Sequence, residues 1–528
     1  MARFKYCDIS QGLFLSVNLK DQLLPGTFEW TLNYLIDKMD LSFFEQNYHN
    51  DQKGAAAYHP KALLKVILYC YSVGILSSRP MEKACQTNII LKALSQDNDP
   101  DHATLAAFIS TNTQAVKALF IQVLLQCDEL DLITGEMFAE DGCKLPSNAS
   151  KEWSGTIADL KKKRDKLEKL VEKLLVRHQE LDKDKEAKKK LRPFKKTMGN
   201  DKERRNKHVE RIEKKLEKLN EFLRHAQPRI GLGGEEVQSN VTDNQSARIK
   251  SSHGYIQGYN GIATADSANQ VIICAKAVGS GSESGSFPEM LESLEQNMKI
   301  ITGKDKPLEN SVCLADTGHF SEANLQEAKN KEIDVIIPDP QFRKRDPDFQ
   351  QRQKAKPKKR YTVEDFKYEE EEDCYQCPAG NRLEYKGEIK LRNNSGSKYQ
   401  ASRGDCGECS HIEKCITIKE QNAKTHVRTL YIVEQRYEEN LSQQMRDKID
   451  DPVYREIYSR RQQIIEPTFS DITYCKGMDR FTLRGEEKVD TQWKLFCIVH
   501  NIGKCIKPLE KRVKKRKKKR EKQERKTI

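Results

Sequence analysis

The sequence predicts a mixed α/β protein, in which a sheet core follows an all-helical region, is broken by two long charged helices, and is joined to a small cysteine-rich unit. Three observations predict it. Apolar residues recur at helical spacing from His59 to Leu125. Beyond Gly135, short strand-like runs alternate with helical ones in the order strand, hairpin, helix, strand, helix, strand, the order of a mixed sheet. Cys374, Cys377, Cys406, Cys409 and Cys415 stand in polar, Gly-containing text at the spacing of metal ligands.

A chain of 528 residues exceeds the roughly 250 to 300 residues at which single cores stop growing, so two or three packed units are expected. Hydrophobic residues at 37% and charged residues at 32% argue against a chain disordered throughout. The net charge of +13 predicts attraction to polyanions, without separating nucleic acid from an acidic membrane. Met1 to Gln11 lacks the apolar core of a signal peptide. The apolar run from Leu63 to Leu76 is interrupted by Lys65 and too short to span a bilayer, so a cytoplasmic protein with no membrane partner is expected. In that reducing setting the 15 cysteines read as metal ligands or buried small side chains rather than disulfides.

Taken in order, residues 1–130 form the helical region, with segments such as Lys61 to Val73 and Thr113 to Leu125 broken at Ser77 to Arg79 and Asp97 to Asp101. Helical clusters of this kind include DNA-binding helix-turn-helix units, an ordinary helical domain being the alternative. Met137 to Glu140 reads as a strand ending at Asp141, before the polar run Ser147 to Ser150. Leu160, Leu167, Val171, Leu174 and Leu181 keep a heptad-like rhythm, as Val209, Ile212, Leu216, Leu219 and Leu223 do in steps of three and four. With Pro193 and Gly199 between them, they predict a helical hairpin inserted at 157–225, its Lys-rich face either solvated or against DNA.

Ile262 to Thr264 and Val271 to Ala275 flank an Asp266-Ser267-Ala268-Asn269 turn and predict a hairpin. Pro288 to Met298 is helical, Ser311 to Ala315 a strand leading into Asp316, Glu322 to Lys329 a helix and Val335 to Ile337 a strand. The sheet core therefore comprises 135–340 and 450–506, the latter opening with a helix from Tyr454 to about Ile472. Arg343 to Arg360 is a basic linker, 361–440 the cysteine-rich module, and 507–528 a basic tail expected to be disordered alone and to add salt-sensitive affinity for nucleic acid.

Asp141 and Asp316 each follow a strand, and Glu466 lies in a helix behind Tyr458 and Arg461. Among 79 acidic residues their spacing alone carries little weight. His102 and His319 beside turns read as structural. The two Cys-x-x-Cys pairs, about thirty residues apart, predict a tetrahedral zinc site in which five cysteines compete for four positions.

Several segments in consistent order resemble DDE transposases of bacterial insertion sequences, in the group numbered eleven-eighty-two. They are Asp141-Gly142-Cys143-Lys144-Leu145 with Asn148-Ala149-Ser150, Gly258-Tyr259-Asn260, Ala315-Asp316-Thr317-Gly318-His319-Phe320, Glu466-Pro467-Thr468-Phe469, Arg480 to Gly485, and His500-Asn501. In the helical region His59-Pro60, Tyr69 to Ser72, Ser77 to Arg79 and Pro100 to His102 resemble the same group, so the resemblance runs from about residue 10 to residue 505. It implies a ribonuclease-H-like core in which Asp141, Asp316 and Glu466 hold Mg²⁺ or Mn²⁺, hard cations that suit carboxylate oxygens. It also implies zinc on Cys377, Cys406, Cys409 and Cys415, with Cys374 the competing ligand.

The implied activity is cleavage at the element's terminal inverted repeats and joining of the 3′-hydroxyl ends to target DNA. The alternatives are a non-catalytic DNA-binding descendant and a metal-dependent nuclease without strand transfer. Tyr458 and Arg461, three apart on one helix face, are expected at phosphates, together with Lys476, Arg480 and Arg484. The group usually has a basic residue two turns after the Glu, where this chain has Thr473; Lys476, one turn beyond, is the candidate substitute. A homodimer or higher oligomer follows from the need to bring two ends together, and a bacterial, nucleoid-associated protein from the substrate.

Overall fold

Helix starts along the N-terminal third are set by capping side chains. Thr27 accepts from the backbone of Trp30 at the start of α1 (Phe28–Lys38), His59 with Pro60 opens α2 (Pro60–Ser72), and Asp101 caps α5 (His102–Thr111). Between them lie α3 (Ser78–Thr87) and α4 (Ile89–Ser95), and α6 (Thr113–Glu129) follows. Leu32, Ile36, Leu63, Leu64 and Tyr71 are completely or almost completely buried among these helices, the one-sided burial that the spacing of apolar residues predicts. The computed structural model describes residues 18–46, 48, 56–183, 201–231, 234–251, 254–281, 284–346, 360–391, 394–407, 409–416, 427–433 and 440–527. Contacts divide it into two units, one of residues 230–236 and 338–452, the other of the rest.

The larger unit contains a six-stranded sheet: β1 (Met137–Pro146), β2 (Ala247–Ser251), β3 (Gly254–Asp266), β4 (Ile272–Val278), β5 (Val312–Leu314) and β6 (Asp334–Ile336). β3 runs antiparallel to β1 from Phe138↔Asp266 to Pro146↔Gly258, and its other edge carries first β2 and then β4. β5 pairs parallel with β1, and β6 parallel with β5. Four antiparallel strands, with β2 and β4 sharing one edge of β3, extended by two parallel strands are consistent with the ribonuclease-H-like core expected from the sequence. Two details differ from that expectation. β1 does not end at Asp141 but continues to Pro146, because Gly142 to Leu145 find partners in Tyr259 to Ile262 that their own polarity does not advertise. β2 carries only one buried residue, Ile249, so its apolar pattern is too thin to read.

α9 (Phe287–Thr302) and α10 (Glu322–Asn330) form the crossovers that parallel pairing requires. The sheet is closed by α12 (Glu486–Thr527), whose Trp493, Phe496 and Val499 are fully buried. Trp493 donates its indole N–H to the Ile262 carbonyl at 2.8 Å, and Asn501 brackets Ile272, accepting from its N–H and donating to its carbonyl at 2.9 Å each. Gly261 admits that indole: a Cβ there would lie 2.8 Å from Trp493. Within the intact chain the basic tail is helical, since α12 runs through residues 507–527. Lys and Arg are good helix formers, and the buried segment before them has already met the cost of nucleation.

α7 (Ile157–Lys183) and α8 (Asp201–His225) pack on one another through Val171, Val209 and Ile212, flanked by Leu167 and Leu174. The expected breaks at Pro193 and Gly199 lie outside the described residues, as does most of the basic linker. The smaller unit is built on a five-stranded antiparallel sheet of β7 (Lys367–Glu369), β8 (Cys374–Gln376), β9 (Arg382–Leu391), β10 (Asn394–Ala401) and β11 (Thr429–Val433). Its core is Phe366, Leu383, Tyr399, Ala401 and Leu430. Among the described residues no helix is long and apolar enough to cross a membrane.

Candidate active site

Parallel pairing of β1 and β5 sets two acids side by side: Asp141 within β1, and Asp316 two residues beyond β5. α11 (Pro452–Ser470) carries Arg461 to meet both. Its guanidinium Nη1 and Nη2 lie 3.2 Å from Asp141 Oδ2, and Nη2 also lies 3.3 Å from Asp316 Oδ1. The Arg461 side chain is only 8% exposed, whereas Asp141 is 23% and Asp316 41% exposed, so the carboxylates stand at a rim and the guanidinium behind them. Burial alone would lower the Arg461 pKa, but Asp141, Tyr458 and Asp316 outweigh it and hold the group above its ordinary value. Tyr458, one turn before, is raised by burial against the opposing pull of Arg461. Tyr458 and Arg461 thus share a helix face as their spacing predicts, and Arg461 is engaged with the two acids.

Glu466 lies five positions past Arg461, about 140° around an ideal helix, with its side chain exposed. Pro467, inside the helix, has no N–H for the Gln463 carbonyl, and the Gln270 side chain supplies that donor instead at 3.1 Å. Beyond Ser470 the helix widens into a π-turn, Asp471–Cys475. Thr473, where the resemblance expects a base, turns its hydroxyl back onto the Phe469 carbonyl at 2.8 Å. Lys476 is ion-paired with Asp471, which also accepts from buried His500 Nδ1 at 2.6 Å. Burial would raise the Asp471 pKa, yet bonds from His500 and Lys476 hold it down at about 2. Lys476, His500 and Lys504 line a cavity of about 470 Å³ together with Glu29 and Tyr69. Arg480 and Arg484 are exposed. Arg480 borders a second cavity of about 360 Å³ with Ser77, Ser78, Ser147 and Asn148, and Arg484 Nε donates to the Asn148 carbonyl at 2.7 Å.

Sequence reasoning missed Glu140. It is 1% exposed behind Asp141, accepts from the Thr264 hydroxyl at 3.0 Å and faces His319 Nε2 at 3.8 Å, with His319 fully buried. The signal was an acid in an otherwise apolar strand run, Met137-Phe138-Ala139-Glu140.

In the smaller unit Cys377, Cys406 and Cys415 pack against one apolar cluster. Burial raises the Cys406 and Cys415 thiols, and the neighbouring thiols of this set, Cys409 among them, add to the shift. Cys377 Sγ accepts the Asn381 N–H at 3.3 Å. Cys374 is turned away to Glu369, its thiol 3.6 Å from Oε2. Among the described residues, the one group of three ligating atoms drawn within 4.8 Å of each other is Glu369, Glu372 and Cys374; the four cysteines expected to bind zinc are not closed to that degree.

Two families match the chain. Residues 17–111 match a family described as a transposase domain, and residues 376–506 one described as a transposase DDE domain. The second stretch includes Glu466 and the four cysteines, while Asp141 and Asp316 lie outside both. No curated protein matches the chain.

Proposed function

Because the chain belongs to the DDE transposases of insertion sequences, we propose that it binds the inverted-repeat ends of its own element, hydrolyses phosphodiester bonds there and joins the freed 3′-hydroxyls to target DNA. The order of its motifs supports placing it in the group numbered eleven-eighty-two. The observation that carries this reading is the convergence of Asp141 and Asp316 on one guanidinium nitrogen of Arg461. Two carboxylates from adjacent parallel strands that share a cation are a hard-oxygen donor set, and they fit divalent metal ions.

Asp141, Asp316 and Glu466 would hold Mg²⁺ or Mn²⁺, which would polarise the scissile phosphate and the attacking water or hydroxyl. The protein's own residues do the rest. Asp141 and Asp316 present their oxygens at the rim and Arg461 screens the repulsion between them, while Glu466, exposed on another face of α11, would complete the set. Arg480 and Arg484 offer exposed charge to phosphates, with Tyr458 beside them in role. Lys476 joins them from the rim of its cavity while neutralising Asp471. One structural zinc on Cys377, Cys406, Cys409 and Cys415 is supported by the thiol chemistry of the four, by the apolar cluster that Cys377, Cys406 and Cys415 share and by Cys409 beside Cys406 and Cys415, Cys374 being spoken for by Glu369. A dimer or higher oligomer acts on paired ends.

The test is cleavage and strand transfer on DNA carrying the element's ends. Asp141→Asn, Asp316→Asn and Glu466→Gln should each abolish both reactions and leave end binding intact, since each swap keeps size and removes the charge that holds metal. Near-normal cleavage by any one variant removes that carboxylate from the site. Thr473 in place of a base favours a second reading, a DNA-binding descendant without catalysis. A wild-type protein that binds ends and cuts nothing under either metal would establish it.

A further inference from the structure

Successive side chains of a strand point to opposite faces, so Glu140 and Asp141 cannot both serve the rim. Asp141 turns toward Arg461 and Asp316, while Glu140 turns into the sheet's covered face. There it stands opposite Thr264 in the β1–β3 register, and the Thr264 hydroxyl donates to its Oε2 at 3.0 Å. Its Oε1 lies 3.8 Å from His319 Nε2. His319 closes the single 3-10 turn Thr317–His319 that begins at Asp316, with its own N–H bonded to the Asp316 carbonyl at 2.9 Å. From the other side Asn324 of α10 donates to the His319 carbonyl at 2.8 Å, and the Phe287 ring packs on the imidazole at 5.3 Å between centroids.

We infer that Glu140, His319 and Thr264 form a buried clamp that positions the two metal-binding aspartates, locking the strand that bears Asp141 to the turn that bears Asp316. The inference rests on the proposed function above. Glu140 precedes Asp141 and His319 follows Asp316 by three residues, and with Thr264 both are buried, out of reach of DNA. A carboxylate and an imidazole removed from water are a poor means of holding a sheet together, since apolar side chains of the same volume do so as well or better. What the buried group adds is a directional Thr264–Glu140 hydrogen bond between β3 and β1, with the Glu140–His319 contact at 3.8 Å setting the spacing between the strand and the turn. Ions about 3.5–4 Å apart tolerate little slack in their bridging carboxylates.

The test measures Mn²⁺ binding to the full-length protein from the loss of the free-ion paramagnetic resonance signal, beside the Mg²⁺ dependence of end cleavage. Glu140→Gln and His319→Gln should each weaken Mn²⁺ binding about tenfold or more, the range seen when partners behind metal ligands are lost. Half-maximal cleavage should move to correspondingly higher Mg²⁺, with unchanged affinity for the element's ends. Thr264→Val should shift both readouts in the same direction, and Thr264→Ser, which keeps the hydroxyl, should restore them. If Glu140→Gln or His319→Gln fails to fold, the two Thr264 variants decide the matter. Folded variants with wild-type Mn²⁺ affinity and Mg²⁺ dependence would overturn the clamp while leaving the transposase reading in place. A wild-type protein with no Asp141-dependent Mn²⁺ binding would overturn that reading, and the clamp with it.

Discussion

Replacing Arg461 with Met removes a cation from between two acids while preserving most of the side-chain volume. At 3.2 Å and an effective dielectric near 20, one guanidinium–carboxylate pair is worth about 5 kcal/mol gross, and in bulk water about 1.3 kcal/mol. Asp141 and Asp316 are 23% and 41% exposed, which places the site between those limits, and the desolvation of Arg461 is recovered on substitution. A net loss of about 2–3 kcal/mol follows in metal-free buffer. Divalent cations should then do what the guanidinium did. Chemical denaturation in EDTA and in Mg²⁺ should show Arg461→Met regaining stability with metal to a greater extent than the wild type. Arg461→Met/Asp316→Asn should be less destabilised than the sum of the single changes, because the removed charges relieve each other. An Arg461→Met protein as stable as wild type in EDTA, or one that Mg²⁺ stabilises no more than wild type, would refute the electrostatic account of the site.

Three further outcomes follow from particular contacts. Asp471, held at about 2 by His500 and Lys476 against an ordinary 3.8, contributes about 2 kcal/mol that is present above pH 4 and lost as the pH falls toward 2. Asp471→Asn should therefore be less stable than wild type at pH 7, with the gap closing between pH 4 and 2 in acid-unfolding titrations; a gap independent of pH would contradict it. The purified protein should carry about one zinc per chain by elemental analysis, and Cys406→Ser should lose the metal and unfold the smaller unit rather than merely slow cleavage. Leu509 is buried, so truncation belongs after it: removing 514–528 should lower DNA affinity and flatten its salt dependence without changing end preference, as binding titrations at several salt concentrations would report.

Periodicity made the helices and the β3–β4 hairpin legible because each buries one regular stripe or alternation of apolar residues. α9 extends only a few residues beyond the span from Pro288 to Met298 that its apolar spacing marks. The second half of β1 was not legible, since Gly142, Cys143 and Lys144 owe their extended form to β3 rather than to their own preferences. β2, whose single buried residue is Ile249, was lost for the same reason. The tail's helix was not legible because composition reports what a segment does alone, whereas residues 511–527 continue a helix whose nucleus lies in the core at Trp493 and Phe496.

The candidate site divides along a similar line. Asp141 and Asp316 could be singled out by strands that precede them, but no spacing reveals that one guanidinium joins them, because Arg461 is 320 residues from Asp141 in the chain. Three-dimensional convergence also separates residues that sequence text treats alike. Asp141 and Glu140 are adjacent acids, yet the pleat sends the first to a rim where a cation can reach it and the second into a buried interior where His319 and Thr264 meet it. Charge at the rim is suited to binding metal, and charge in the interior to fixing geometry. The same division explains Lys476 and Arg480, both basic and four residues apart: Lys476 is drawn to Asp471 at the π-turn, while Arg480 remains exposed beside Ser77 and Asn148. A phosphate backbone meeting this face would therefore find Arg480 before Lys476, and Arg480→Ala should weaken end binding in filter or mobility-shift titrations more than Lys476→Ala does. The reverse ranking would mean that the ion pair with Asp471 opens when DNA binds.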